Sequence, residues 1–422
     1  MNNLLLIYGF KILHLASKTN NPKQPIMKKY YLFAFCLLLT GSLFAQNSND
    51  LKLSVNKGSI KMATEDGQFS FGMGGRVYMD AASYFDDKTD LGSGTEIRDI
   101  RLLMKADLWK KWNAKINIGF ADGSVSLKDV WLMYKINKNS FVRAGHFLEP
   151  FGIEQTESSK TTKFMHAAST VEAFRPGRNL GISYATWGKQ VFWEAGLFGS
   201  DTNNKTAGDE GYGLTSRFAF APVQNESGIF HVGMSGIYRT ADAAGFNELG
   251  EENPKSIRYR SRAATHIEKR RFIDAKVGNA DHQTKIGFEM IAATGAVSLQ
   301  TEYINANVSR NIGEDYTANG WYTQLAWLVK GGNYKYKMKS ARLAKPGPGS
   351  VELLARYNQT DLNDSGAMIM GGKQKDITIG GTWYVNHNIL VKFHFTNVDL
   401  DENALNGEEN FNMIQTRLQF SF

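Results

Sequence analysis

The sequence predicts an all-β fold, a transmembrane antiparallel β-barrel of 16 strands with inward-folded extracellular loops. Segments of about ten residues repeatedly alternate apolar with polar side chains, as strands do between lipid and a wet lumen. Aromatic residues are abundant, with 26 Phe, 17 Tyr and 8 Trp, whereas Pro occurs 8 times. After residue 45 no stretch reaches the roughly 20 apolar residues of a transmembrane helix. A membrane protein of this composition has to be a closed barrel.

The first 45 residues have the layout of a cleaved leader. Lys28 and Lys29 precede an apolar run over 30–40, and small residues then lead to Ala45 and Gln46. A secretory signal peptide has this arrangement, with cleavage after Ala45. A membrane anchor is the alternative, but the run is shorter than the roughly 20 residues that cross a bilayer. We therefore expect an upstream mis-start over 1–26, a signal peptide over 27–45, a short periplasmic segment over 46–68 and the barrel over 69–422.

Removal of this leader changes the charge and the thiol content of the chain. The leader holds Cys36, the single cysteine, and five lysines, but no Arg, Asp or Glu. The other 377 residues carry 44 basic and 41 acidic side chains, so their net charge is +3. Overall basicity is thus no argument for nucleic-acid binding, and any anion preference must come from local clusters of cations.

Sixteen segments show the alternation of a barrel strand. In 69–85, Phe69, Phe71 and Met73 alternate with a face that bears Arg76 and Asp80, and we expect that second face to line the lumen. An even count agrees with both termini of a bacterial barrel lying on the periplasmic side. The segments are 69–85, 100–108 (with Arg101 on its polar face), 114–120, 130–136, 141–147, 180–187, 191–198, 213–221, 230–240, 285–294, 297–305, 321–329, 351–357, 377–385, 389–397 and 412–422.

Three connections are long enough to shape the lumen. With the first strand running outward, 149–179 and 241–284 lie on the extracellular side. The short alternating piece 257–262 would be a seventeenth strand, and we place it in the second of these loops. The 331–349 insert falls on the periplasmic side, where turns are normally short, so we expect it to fold inward.

Motifs of enzymatic chemistry are missing from the sequence. It contains no Walker-type phosphate loop, no His-Glu-x-x-His, no Cys pair and no Gly-x-Ser-x-Gly, the signatures of common hydrolases and metal sites. The histidines lack the spacing of metal ligands. We expect no catalytic residue, no metal and no cofactor.

Rows of basic residues are the more informative feature. Arg258, Arg260 and Arg262 alternate in an extended stretch, which places their side chains on one side of the chain; Arg270 and Arg271 follow. On an inward-folded loop such a row would draw anions along a path, although a solvated basic loop explains the pattern equally well. A second strip in the periplasmic insert is more typical of a solvated turn; it consists of Lys335, Lys337 and Lys339.

Several stretches resemble the phosphate-selective porin O and P family. They run in order along the chain as GRVYMDAASYF, IRDIRLLMKADLWKKWNAKINIGFADGSVSLKDVWLMY, VRAGHFLEPFGIEQTESSKTTKFM, FRPGRNLGIS, IRYRSRAATHIEKRRFIDA, VSLQTEYINANV, GTWYVNHNILVKFHF and TRLQFSF. The resemblance implies a 16-stranded barrel, usually trimeric, whose inward-folded outer loops carry an arginine ladder that feeds a central anion site.

By matching position, the resemblance assigns the ladder to Arg258, Arg260 and Arg262, the paired serines of the constricting loop to Ser158 and Ser159, and the inward arginine of the first strand to Arg76. Lys160 follows the serines as a further donor suited to an oxyanion. The chain departs from the family where phosphate-specific members carry a lysine, here Gln155, and where they carry two adjacent arginines, here Arg98 and Asp99. Both changes lower the positive potential and bear on phosphate specificity.

The prediction is an integral outer-membrane porin of a Gram-negative bacterium. It would let small anions diffuse, phosphate or polyphosphate among them, through a lumen lined by Arg and Lys. Its surroundings would be outer-membrane lipid and lipopolysaccharide, its assembly a homotrimer, and it would have no nucleic-acid partner. The alternatives are a general or differently selective porin on the same fold, and a barrel enzyme or surface protein without a conducting pore.

Overall fold

The computed structural model describes residues 51–422, except 57, 203–205, 226 and the side chain of 122. The predicted leader and the start of the 46–68 segment lie outside these residues. No helix in the described part is long and apolar enough to cross a membrane.

The strands are β1 Leu51–Asn56, β2 Ser59–Thr64, β3 Phe69–Phe85, β4 Gly94–Leu108, β5 Trp112–Gly119, β6 Ser126–Asn137, β7 Ser140–Leu148, β8 Arg178–Trp187, β9 Val191–Phe198, β10 Gly213–Gln224, β11 Ile229–Thr240, β12 Ser256–Ser261, β13 Ile273–Gly278, β14 Ala280–Thr294, β15 Val297–Arg310, β16 Tyr316–Lys330, β17 Tyr336–Lys337, β18 Arg342–Leu343, β19 Val351–Asp364, β20 Ile369–Trp383, β21 Ile389–Leu400 and β22 Glu409–Ser421; one α-helix, α1, spans Ser169–Phe174.

Sixteen of these strands close into an antiparallel barrel. Each of β3–β11, β14–β16 and β19–β22 pairs with the next, and β22 pairs back onto β3 from Asn412 opposite Phe85 to Ser421 opposite Arg76. Each of the sixteen predicted segments falls in or overlaps one of these strands. The predicted all-β barrel of 16 strands is therefore confirmed.

The barrel has apolar residues outside and charged residues inside. Leu197 and Leu214 are more than half exposed on the outer face, whereas Arg217, Glu302 and Lys392 on the inner face are at most 2% exposed. Charged residues are almost never fully buried in water-soluble proteins unless they are paired. Outward apolar and inward polar side chains are instead the pattern of strands that stand in lipid.

The long connections are on one rim and fold into the lumen. Residues 149–177 carry α1, which contacts β15, β16 and β19 from inside. Residues 241–279 carry the β12–β13 hairpin, which contacts β14, β19 and β20. The 257–262 piece thus forms a strand, but in a separate two-stranded sheet, so it adds no strand to the barrel. The 331–350 insert enters from the opposite rim, where Arg342 donates to the carbonyl oxygen of Thr156 at 2.7 Å.

A short hairpin completes the seam between the first and last strands. β1 and β2 pair with each other, and β2 pairs with β3 at Ile60–Ala63, where β22 has already ended. Just above, Phe422 and Gly75 exchange backbone hydrogen bonds of 2.8 and 3.0 Å. A side chain at Gly74 would meet the carbonyl oxygen of Phe422 at 2.4 Å, so the glycine run before Arg76 allows this close approach.

Candidate functional site

The loop of residues 149–177 crosses the lumen and is held by the wall opposite its base. Buried cations on β19, β21 and β22 donate to consecutive backbone carbonyls of the loop. The bonds run from Lys392 to Thr162 (2.5 Å), Lys163 (3.2 Å) and Phe164 (3.4 Å), from Arg417 to Met165 (2.8 Å) and from Arg356 to His166 (3.1 Å). Because these carbonyls occupy their donors, these three cations are largely committed to positioning the loop.

A carboxylate holds the other end of the same loop. Glu302 on β15 accepts the backbone N–H groups of Ile153 at 2.9 Å and Glu154 at 2.8 Å, and Tyr322 donates its hydroxyl to the same carboxylate. Glu302 is 2% exposed. The loop is therefore fixed near its start and in its middle against β15–β22, and the cations of that wall that hold it are not those of β3–β8.

The first two barrel strands bring the predicted strand residues together. Asp99 accepts from the Nε atoms of Arg76 and Arg101, each at 2.8 Å. Tyr78 pairs with Asp99 and Met79 with Ile97, so Arg98 is the extra residue of a β-bulge. Bulges re-aim side chains next to functional sites, and here the bulge interrupts the alternation at the point where the chain reads Arg98-Asp99.

One buried donor at this bulge lacks a partner. The Nε atom of Arg98 makes no hydrogen bond to any described residue. Tyr78, on the strand opposite, is 1% exposed, and its hydroxyl lies beside Ser159 of the crossing loop. An unsatisfied buried polar group costs free energy and calls for an explanation. A bound anion that accepts from Arg98 would satisfy it.

Lys160 of the crossing loop lies near several other positive charges. Its Nζ donates to the carbonyl of Gly75 at 3.3 Å. Burial, followed by the nearby charge of Arg76, lowers the pKa of Lys160 to about 8. Further lysines from strands and insert add to this effect, namely Lys105, Lys115 and Lys345. Cations from three parts of the chain thus face one region of the lumen.

The inner face of β4–β8 carries further cations. Lys115 and Arg178 both contact Asp129, at 2.6 and 2.8 Å. Lys105 and Lys128 make no ion pair within residues 51–422 as described. The sequence had indicated Arg178 as a cationic donor suited to an oxyanion and had placed Lys105 and Lys115 on polar strand faces, whereas it had not indicated Lys128. Their grouping around Asp129 depends on strand register, which no local pattern gives.

Two of the three ladder residues lie on the face of the β12–β13 hairpin that points away from the wall. Arg258 and Arg260 are exposed, while Ile257 and Tyr259, which alternate with them, are buried. Arg258 pairs with Asp274 at 2.5 Å. Arg260 has no ion pair or hydrogen bond to a described side chain. Lys276 lies opposite Arg258 on the neighbouring strand and is exposed as well, so it adds a fourth basic position.

The remaining loop arginines are paired with carboxylates. Arg262 and Arg271 both contact Glu172, the former at 2.8 Å. Arg270 pairs with Glu268 at 2.7 Å and donates to the carbonyl of Asp90 at 2.9 Å. Arg270 therefore belongs to the rim rather than to the exposed face that carries Arg258 and Arg260.

The 331–350 insert turns its aromatic residues inward and leaves its alternating lysines exposed. Tyr334 donates to Glu352 at 2.5 Å, and Tyr336 hydrogen-bonds to His231 at 2.5 Å. The alternate residues Lys335, Lys337 and Lys339 are exposed. No group of three or more His, Cys, Asp or Glu side chains in the described ranges is arranged to hold a metal ion.

The chain matches a family model and two related proteins. The family model for phosphate-selective porin O and P matches residues 71–422. Porin O of Pseudomonas aeruginosa is 24% identical over 403 residues, covering 87% of this chain and 91% of its own. An uncharacterized protein of Caulobacter vibrioides is 26% identical over 394 residues, covering 87% and 76%.

Solved porin structures share the fold at low identity. An anion-selective porin from Comamonas acidovorans superposes with a TM-score of 0.52 at 14% identity, covering 84% of this chain and all of its own. A trimer form of OmpT, an outer-membrane protein of Vibrio cholerae, superposes with a TM-score of 0.54 at 11% identity, covering 84% and 99%.

Proposed function

The chain belongs to the phosphate-selective porin O and P family and is an integral barrel of the Gram-negative outer membrane, and on that premise we propose that its lumen conducts small anions. Phosphate and polyphosphate are the solutes that the family suggests. The path would run past the exposed arginines of the β12–β13 hairpin, between the crossing loop and the β3–β8 wall, and out past the periplasmic insert.

The observation that carries this proposal is the group of cations beside the crossing loop. The Nε atom of Arg98 is buried without a partner among the described residues, and burial, followed by the charges of Arg76 and three lysines, lowers the pKa of Lys160. An anion in this place would satisfy the Arg98 donor and offset the repulsion between the cations. A cation would do neither.

Internal carboxylates weaken the case for strict phosphate specificity. Asp99 pairs with Arg76 and Arg101, and Asp80 pairs with Arg417 at 2.7 Å. Asp129 pairs with Lys115 and Arg178. Each carboxylate occupies donors that phosphate would need. A generally anion-preferring porin is therefore the second candidate, and the carboxylates are the observation that favours it.

A homotrimer is the proposed assembly. The family and the trimer form of the Vibrio cholerae neighbour support it. An enzymatic or purely adhesive barrel has less support, because buried ion pairs of the lumen, among them Lys163–Glu352, Arg217–Glu289 and Arg356–Glu154, commit their groups to holding the loop and the insert.

The experiment is a planar-bilayer recording of the purified full chain. In a potassium chloride gradient the reversal potential should have the sign of anion selectivity. Replacing chloride by phosphate at equal charge should leave a measurable current, and phosphate added to chloride should reduce the chloride current if it binds at the crossing loop. A cation-selective reversal potential would contradict the anion path, and chloride current unaffected by phosphate would favour the general porin.

A further inference from the structure

A recess beside the ladder hairpin has the composition of a second anion site. It has a volume of about 240 Å³ and lies between the end of the crossing loop, the hairpin and the walls β11 and β14. Four cations from four different elements line it: Arg175, Arg239, Arg258 and Lys285. One water takes about 30 Å³ in the liquid, so the recess has room for a tetrahedral oxyanion with several waters.

Lys285 is the buried cation of this recess. It is 5% exposed, and its Nζ donates to the carbonyl of Phe174 at 2.8 Å and lies 5.1 Å from the ring centre of Tyr259. No carboxylate within the described chain is in ion-pair contact with it. Burial of an ammonium group without a counter-ion is costly, and an anion in the recess would provide one.

The carboxylates around the recess are already engaged. Glu149 accepts from Arg239, Asn179 and Thr215. Asp274 pairs with Arg258. Asp242, which also lines the recess, accepts from Ser200 at 2.5 Å and from the backbone N–H of Gly211 at 2.9 Å.

The balance of charge is therefore positive. The four lining cations exceed these three carboxylates by one. Arg175 is exposed and makes no side-chain hydrogen bond or ion pair within the described residues, although Glu172, which is shared by Arg262 and Arg271, is near it. Arg175 is thus available to close over a bound ion.

We propose that this recess binds a small tetrahedral oxyanion of the phosphate or sulfate class between Lys285 and Arg175, beside the conduction path. The choice of ligand class rests on the proposed function, because the same anions would reach the recess through the outer mouth. A bound ion would be the counter-ion of Lys285 and would keep an anion next to the ladder.

The test uses crystals of the full chain soaked in sodium selenate, whose selenium is located by anomalous scattering. A peak is expected within hydrogen-bond distance of the Nζ of Lys285. The Lys285→Met variant should lose at least half of that occupancy. Because Lys285 also bonds to the loop, the Arg175→Gln variant provides a second test at an exposed position, with the same expected direction.

Failure of this proposal is separable from failure of the proposed function. An empty recess in the wild-type protein, or an unchanged peak in both variants, would overturn the recess even if reversal potentials are anion-selective. A filled recess in a channel that prefers cations would instead leave this site standing and contradict the anion path. Arg260→Gln is the matched control, since it removes one cation of the ladder and should leave the peak in the recess unchanged.

Discussion

Asp99 limits the positive potential of the lumen at the first two barrel strands. Its carboxylate lies 2.8 Å from donor atoms of both Arg76 and Arg101, and it is 5% exposed. In a confined path, fixed charges set the preference for mobile ions of opposite sign. One carboxylate that serves two arginines therefore removes more anion attraction than an exposed acid would.

Replacing this acid should strengthen the anion preference. We expect Asp99→Asn to raise the anion-to-cation permeability ratio by about twofold, roughly 0.4 kcal/mol, because Arg76 and Arg101 would keep their charge without the counter-charge. Reversal potentials in a potassium chloride gradient measure this ratio. The control is Asp399→Asn, which removes an acid on the alternate face of β21, where Asp399 is near Lys375 at 3.7 Å. An unchanged or lowered ratio in Asp99→Asn would place Asp99 away from the path.

Lys160 should make the selectivity depend on pH. Its pKa is lowered to about 8, chiefly by burial and next by Arg76, so the side chain is charged below that pH and neutral above it. Between pH 7 and pH 9 the charged fraction falls from roughly nine-tenths to one-tenth. The anion-to-cation permeability ratio should therefore fall over this interval. Lys160→Arg should remove the step because arginine stays charged. If that variant keeps the full step, another group is responsible.

The crossing loop is the element that passes through the interior of the barrel. Glu302 binds two of its backbone N–H groups, and three wall cations bind its carbonyls. Loops normally run over the surface because their backbone groups need partners. Here the charged inner wall supplies the partners, so the loop can remain inside the lumen.

Loosening this anchor should destabilise the loop without removing the barrel. In Glu302→Gln an amide N–H₂ takes the place of one acceptor oxygen and faces a backbone donor. Such a mismatch costs about 1–3 kcal/mol, which urea unfolding should show as a lower free energy of unfolding. Single-channel records should show more frequent closures. Glu402→Gln, in the exposed turn before β22, serves as control. If both variants kept the wild-type free energy of unfolding and the wild-type frequency of closures, Glu302 would not anchor the loop.

The elements differ in how well the sequence predicted them. Alternation with a period of two follows from lipid on one side and lumen on the other, so each barrel strand could be recognised on its own. The β1–β2 hairpin was missed because its two strands have only six residues each. Of these, β2 pairs with β3 only beyond the point where β22 ends. The hydrogen bond of Arg417 to the carbonyl of Met165 joins residues far apart in sequence, and the β-bulge at Arg98 depends on strand register. No local pattern encodes either feature.

On the scale of the whole molecule, charge is distributed unevenly across the lumen. The β15–β22 wall commits Arg356, Lys392 and Arg417 to the crossing loop. By contrast, β3–β8 and the ladder hairpin present Lys105, Lys128 and Arg260 without ion pairs in the described part of the chain. Arg258 and Arg260 lie on the exposed face of the hairpin, whereas Arg262 pairs with Glu172. We therefore propose that the hairpin and the β3–β8 wall together set the anion preference.

The most direct measurement of this claim is the reversal potential of the Arg258→Ala, Arg260→Ala, Arg262→Ala variant in a potassium chloride gradient, recorded beside the wild-type protein. The Lys335→Ala, Lys337→Ala, Lys339→Ala variant is the matched control with the same loss of charge. We expect the arginine variant to insert normally and to shift toward cation selectivity, because the lipid-facing surface is unchanged, and the lysine variant to shift less. Wild-type reversal potentials in the arginine variant would contradict the account and take the hairpin out of the conduction path.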